Sequence, residues 1–237
     1  MSTAKEILEQ LRSLGSEQHR KIYLNHGGKE PFFGVPIEDL KKIHRKIKND
    51  QSLAMDLYKT GNSDAMYLAG MVADGSKMTK KELNTWAQSA PWGMISEYTV
   101  PWVASESEFG RELALEWIDS KNELVACSGW STYSGLIATK PDTELDLKEV
   151  KSLLVRVQKT IHDAPNRVRY TMNGFVIAVG SYVPSLTDMA IEIGKKIGKV
   201  EVNLGNTACK VPSAPEYIQK VEERGSIGKK KKTNKCV

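Results

Sequence analysis

Apolar residues recurring three and four positions apart run through most of this chain, and that period restricts it to an α-helical fold. Ser2 or Thr3 is placed to cap a first helix carrying Ile7, Leu8 and Leu11, and a second is expected over 16–24. The loop 25–36, rich in Gly and Pro, separates these from an amphipathic helix. Leu40, Ile43 and Ile47 mark the buried face of that helix, and Lys41, Lys42, Arg45, Lys46 and Lys48 occupy its other faces. Short helices are predicted from Leu53 and from Ser63. Thr79 with Glu82, and Ser105 with Glu108, have the spacing of capping boxes and predict two further helix starts. The stretch 91–104 between them is expected to be helical and interrupted at Pro101. Longer apolar helices follow over 122–138, around Leu147, Val150, Leu154 and Val157, after Pro165, and over 185–197. The expected fold class is all-α, as a compact domain or as a solenoid of antiparallel helical pairs.

The period changes near the end. Val200, Val202 and Leu204 alternate, Gly205–Asn206 is a turn pair, and Thr207, Cys209 and Val211 alternate again. A two-residue turn would oppose Leu204 to Thr207, Val202 to Cys209 and Val200 to Val211, with Glu201 facing Lys210 across the strands. A C-terminal β-hairpin is therefore expected, followed by a short helix over 215–224. The domain reading is a helical-repeat domain over 1–197, the hairpin and short helix over 198–224, and a basic flexible tail over 225–237.

Charge is concentrated in that last part. The chain carries a formal +5. Residues 195–237 hold eleven Lys/Arg against four Asp/Glu, whereas residues 1–194 hold twenty-three against twenty-five. A near-neutral body with a basic end, including Lys229, Lys230, Lys231, Lys232 and Lys235, points to a polyanionic partner, of which nucleic acid is the commonest. A solvated tail serving only solubility is the bland alternative. No run approaches the ~18 apolar residues of a membrane span, and the start of the chain lacks an apolar signal region. Cys127, Cys209 and Cys236 are scattered and form no CxxC pair, and His19, His26, His44 and His162 lie far from them. A cytoplasmic, monomeric protein with no metal and no cofactor is expected.

Three segments carry a family resemblance: YLNHGGKEPFFGVPIEDLKKI at 23–43, PWGMISEYTVP at 91–101, and NGFVI at 173–177. Together they resemble the DNA alkylation repair family, the AlkD-like group of HEAT-like repeat proteins, over about residues 1–197. The added hairpin and basic end are similar to the AlkF/AlkG-type branch, which is associated with branched DNA rather than base excision. The resemblance implies a curved stack of helical pairs whose concave face cradles DNA, with aromatic residues around a catalytic carboxylate. It maps that carboxylate, an aspartate in the family, onto Glu97. It maps cleft aromatics onto Tyr23, Phe175 and the neighbourhood of Trp92, with Gly93 in register with a family tryptophan. The family's cleft arginine has no counterpart in VACSGW at 125–130.

An alkylpurine glycosylase needs a fixed negative charge beside the sugar as oxocarbenium character develops, and a role for Glu97 would be that one. Glutamate is longer than aspartate by a methylene, and a misplacement of about 1 Å costs on the order of a hundredfold. Binding asks less. Lys41, Arg45 and Lys48 fall on one helical stripe, Arg167 and Arg169 sit at a helix start, and Lys210 with the lysine tail extends the basic track. The expected function is binding of branched or distorted DNA without base excision. An N3/N7-alkylpurine DNA glycosylase and a protein-binding helical scaffold are the two alternatives.

Overall fold

A computed structural model describes residues 2–237. Among the described residues there are thirteen α-helices and no strand. They are α1 (Ala4–Leu14), α2 (Glu17–Asn25), α3 (Ile37–Ile47), α4 (Gln51–Lys59), α5 (Ser63–Val72), α6 (Lys80–Ser89), α7 (Val100–Glu106), α8 (Gly110–Ile118), α9 (Glu123–Thr139), α10 (Leu147–Thr160), α11 (Asn166–Tyr182), α12 (Thr187–Ile197) and α13 (Ala214–Glu223).

From α4 onward the helices alternate between two layers. α5, α7, α9, α11 and α13 form an inner row, each packed on the next, while α4, α6, α8, α10 and α12 back them. Composition decides the layer. Inner α9 has one charged residue, Glu123, and is buried on most sides. Outer α10 buries only Val150, Leu153, Leu154 and Val157, a single stripe at the helical repeat, and turns its charges to water. Two apolar cores result, one around α1 to α8 and one around α9 to α13, meeting where α8 packs on α9.

The helix starts follow local chemistry. Thr3 closes a capping box with Glu6, and Thr79 closes one with Glu82. The box expected at Ser105 and Glu108 does not form. Ser105 still lies inside α7 with its hydroxyl donating to the Trp102 carbonyl, and α8 begins later at Gly110. The loop that carries the 23–43 motif wraps a buried carboxylate: Asp64 accepts from the backbone N–H groups of Phe33, Gly34 and Val35 at 2.5, 3.1 and 3.0 Å.

The β-hairpin is not present. Residues 199–213 form an extended arch whose limbs stand apart around a cavity of about 920 Å³. The backbone groups that a ladder would pair find tertiary partners instead. Asn166 bonds both the N–H and the carbonyl of Asn203, Asn173 donates to the Pro212 carbonyl, and the Asn206 N–H reaches the Asn25 carbonyl at 2.8 Å. Glu201 pairs with Lys199, not with Lys210. The apolar alternation is used in part, since Val200, Val202 and Val211 pack on the second core. Gly205 is at the tip with φ of 77°, and a Cβ there would lie 2.0 Å from the Asn25 carbonyl oxygen. A side chain at this position would lift the arch from α2.

The basic end, expected to be flexible, is seated on the protein as a strap. Because successive inner helices run the same way, their C-terminal carbonyls line one edge. The strap follows that edge. Gly228 N–H donates to Ser181 O of α11, and Lys231 N–H donates to Ala138 O of α9. Lys230 Nζ bonds Ile137 O at 2.9 Å and pairs with Asp142 at 2.8 Å. Asn234 bridges Gly135 O and Ser105 Oγ, and Lys235 Nζ donates to Ala73 O at 2.5 Å while pairing with Glu106 at 2.7 Å. Cations at the negative ends of helices are favourable, and these also satisfy carbonyls that would otherwise lack donors.

Hydrogen bonds to charged groups contribute ~1.5–3 kcal/mol, so Lys235→Ala is expected to lower the melting temperature by about 5 °C. Lys230→Ala, more exposed, should lower it less, and Lys232→Ala, on an exposed side chain, should leave it unchanged. Thermal unfolding followed by circular dichroism checks all three; equal melting points would mean that the strap is not seated.

Candidate nucleic-acid interface

The helix that leads into α7 widens to a π-helical segment at Ile95–Thr99, where Val100 N–H bonds back to Ile95 O. Pro101 explains the widening. It has no N–H to donate, and in a regular α-helix its ring would clash with the carbonyl four residues earlier, that of Glu97. The loosened turn leaves Ser96 O free to accept from Ser128 Oγ of α9 at 2.8 Å. It also turns Glu97 inward, where its side chain is only 2% exposed.

There Glu97 meets Arg167, from the first turn of α11. The guanidinium grips the carboxylate with two parallel bonds, Nε to Oε1 at 2.7 Å and Nη2 to Oε2 at 2.5 Å. Arg167 also lies over the Tyr170 ring, and its backbone N–H donates to Glu123 at 2.6 Å. Burial pushes the Glu97 carboxyl above the usual carboxylate range, and the arginine pulls against that. Gly93 provides the room. A Cβ there would approach Glu97 Oε1 to 2.9 Å and crowd the ion pair.

Around this pair the inner helices line a cleft of about 770 Å³. Its floor is made of small residues one and two turns apart: Ser131, Gly135 and Ala138 of α9, and Gly174, Ala178 and Ser181 of α11. Tyr67, Tyr98 and Trp102 form one aromatic wall, with Tyr67 and Trp102 edge to face at 4.9 Å. Tyr170, which adjoins Tyr98, lines it with Tyr182 and Tyr217, and Arg224, Lys229 and Lys231 complete the lining.

The residues singled out from sequence fall in six places. Tyr23 and Trp92 form a buried cluster with Phe32; Tyr23 donates to Val35 O, and Trp92 Nε1 donates to Ser63 Oγ. Phe175 is wholly buried between Trp130 and Tyr133, so none of the three presents a face to a ligand. Glu97 and Arg167 are joined to each other. Lys41, Arg45 and Lys48 lie along α3, where Lys41 also sits 3.8 Å from Glu38. His44, on the same stripe, is held below its usual range by burial and then by Lys235, Lys48 and Arg45, so the strap's end adjoins the basic face of α3. Arg169 is near Glu201 of the arch and its Nε has no partner, and Lys210 is exposed on the arch. Of the lysine run, Lys230 is committed to α9, while Lys229, Lys231 and Lys232 are exposed. Tyr67, Tyr98, Trp102, Tyr170, Tyr182 and Tyr217 are the cleft residues that sequence reasoning passed over. Their signal is faint: Tyr170, Gly174 and Ala178 repeat every four residues on a helix whose other faces are also apolar.

The two-layer helical stack with a lined inner face defines a HEAT-like repeat protein. The family model for "DNA alkylation repair enzyme" matches residues 7–218, and the chain belongs to the DNA alkylation repair family. It is similar, with a TM-score of 0.90 and 38% identity, to a solved structure from a new family of proteins related to the HEAT-like repeat DNA glycosylases with affinity for branched DNA structures; the match covers 99% of this chain and 100% of that one. It is also 35% identical to the uncharacterized protein Lin0241 of Listeria innocua and 36% identical to the uncharacterized protein Lmo0209 of Listeria monocytogenes. Each match covers 94% of this chain and 99% of the relative.

Breaking a fully buried ion pair costs ~3–5 kcal/mol. With about a quarter of the Arg167 side chain exposed, Glu97→Gln is expected to cost roughly 2–3 kcal/mol. Arg167→Met added to Glu97→Gln should recover part of that loss. A double-mutant cycle in urea unfolding measures the coupling; independent effects would mean that the carboxylate is not tied to the arginine.

Proposed function

We propose that this chain binds branched or distorted DNA and does not remove bases from it. The observation that carries the second half is the bidentate grip of Arg167 on Glu97. Base excision needs an unshielded negative charge beside the sugar, and this carboxylate is buried and neutralised by its partner. The two aromatic residues that the family resemblance assigned to its neighbourhood, Trp92 and Phe175, are buried in the core.

The first half is supported by the likeness to a protein whose family has affinity for branched DNA structures, over nearly the whole of both chains. The charge layout agrees with it. Arg45 on α3, Lys48 at its end, Lys210 on the arch, and Lys229, Lys231 and Lys232 on the strap are exposed cations on separate elements. A straight duplex presents its phosphates along one line, whereas the arms of a junction present them in several directions. Separated basic sites on a curved stack favour the junction. Such contacts position the nucleic acid without reading its sequence.

A competition between a fully paired four-way junction and a linear duplex of equal length and composition, at about 150 mM salt, tests the reading. Junction preference is expected, with no release of methylated base from alkylated DNA. Base release lost in Glu97→Gln would restore the glycosylase reading, and absence of affinity for both DNAs would leave a protein-binding scaffold.

A further inference from the structure

The inner face of this protein is not an open groove. α13 and the strap bound one side of it, and together with α7, α9 and α11 they leave the cleft of about 770 Å³ described above. That size lies within the ~300–1,000 Å³ range of small-molecule sites. It suits one or two nucleotides and leaves no room for the width of a duplex.

Its chemistry is uneven in a telling way. Tyr98 and Tyr217 are 46% and 48% exposed, an unusual amount of aromatic surface to leave in water. Tyr67, Trp102, Tyr170 and Tyr182 line the cleft with them. Glu97 is the one carboxylate in the lining, and Arg167 cancels it. Arg224, Lys229 and Lys231 line the same cleft, and among the described residues none of the three is in an ion pair, whereas their neighbours Lys230 and Lys235 are. Lys231 Nζ instead stands 5.7 Å from the centre of the Tyr182 ring. Ser181, 3% exposed, belongs to the lining as well.

We infer that this cleft holds an unpaired nucleotide, with the base stacked on the tyrosines and the phosphate on Lys229, Lys231 and Arg224. The flat aromatic faces take any base, because every base has a π-face, and the rim cations follow the backbone, which is the logic of single-strand binding. The small residues of the floor let the base approach the inner helices. Branch points are where nucleotides most readily leave their pairs, so the cleft would read the junction itself while the surrounding cations hold the arms. The inference rests on the proposed reading of this face as a DNA-binding surface, and the experiment separates the two.

The probe is a short thymidylate strand carrying one 2-aminopurine, titrated with the full-length protein beside the fully paired four-way junction. Saturable binding of the strand with quenched 2-aminopurine fluorescence is expected. Tyr217→Ala and Lys231→Ala should each weaken it on the order of tenfold. Both side chains are exposed, and Lys231 seats the strap through its backbone N–H, so both variants should melt like the parent. Lys48→Ala, outside the cleft, should weaken the junction and spare the strand. Lack of strand binding up to about 1 mM, or strand binding that both cleft variants leave unchanged, overturns the inference. If the junction is still bound in that case, the proposed function stands. If the parent binds the strand through the cleft but not the junction, the proposed function falls and the cleft remains.

Discussion

Stacking helices in parallel along an inner row creates a problem at one edge. Each helix leaves its last carbonyls without donors, and the partial negative charges of neighbouring helix ends lie side by side. In this protein the C-terminal strap meets that demand with backbone N–H groups, an asparagine and two lysines. Ser181, Ala138, Ile137, Gly135 and Ala73 each give their carbonyl to it. The strap crosses the ends of α11, α9 and α7 and reaches the end of α5, so it ties both apolar cores together. It also fixes where Lys229 and Lys231 stand, which forms one rim of the cleft.

A second constraint comes from Pro101. One missing N–H widens the helix before α7, hands Ser96 O to Ser128 and turns Glu97 into the interior. A carboxylate placed there must find a counter-charge or lose its own. Arg167 supplies it from α11, and Gly93 leaves the space. The chemistry of the face follows from that local balance. A lone buried carboxylate beside a bound sugar would stabilise positive charge, whereas a clamped one contributes little field and leaves the surrounding cations dominant.

Much of the fold was legible in the residues. The stripe in α10, the Thr79–Glu82 box and the widened turn before Pro101 each have a local cause, and local causes are visible along the chain. The Ser105–Glu108 spacing shows the limit: Ser105 still belongs to α7, where its hydroxyl bonds Trp102 O, and α8 begins only at Gly110. The arch shows it again. Its alternation of apolar residues is real, yet Asn166, Asn173 and Asn25, distant in sequence, take the backbone groups that a ladder would have used. The site was less legible than the fold. Tyr23, Trp92 and Phe175 carry a family pattern but pack in the interior, and the tyrosines that line the cleft are spread over four helices from Tyr67 to Tyr217.

What the sequence determined by itself was the helical class, the order of most helices, the family and the place of the excess charge. These depend on residues a few positions apart, or on the composition of one segment. Only the tertiary structure decided that Glu97 is neutralised, that the lysine end is a strap and that the inner face is a bounded cleft. Glu97 and Arg167 stand seventy positions apart, and Lys235 and Ala73 more than twice that. No local rule couples groups so distant; the stacking of the inner helices brings them within reach, and burial then makes their pairing obligatory.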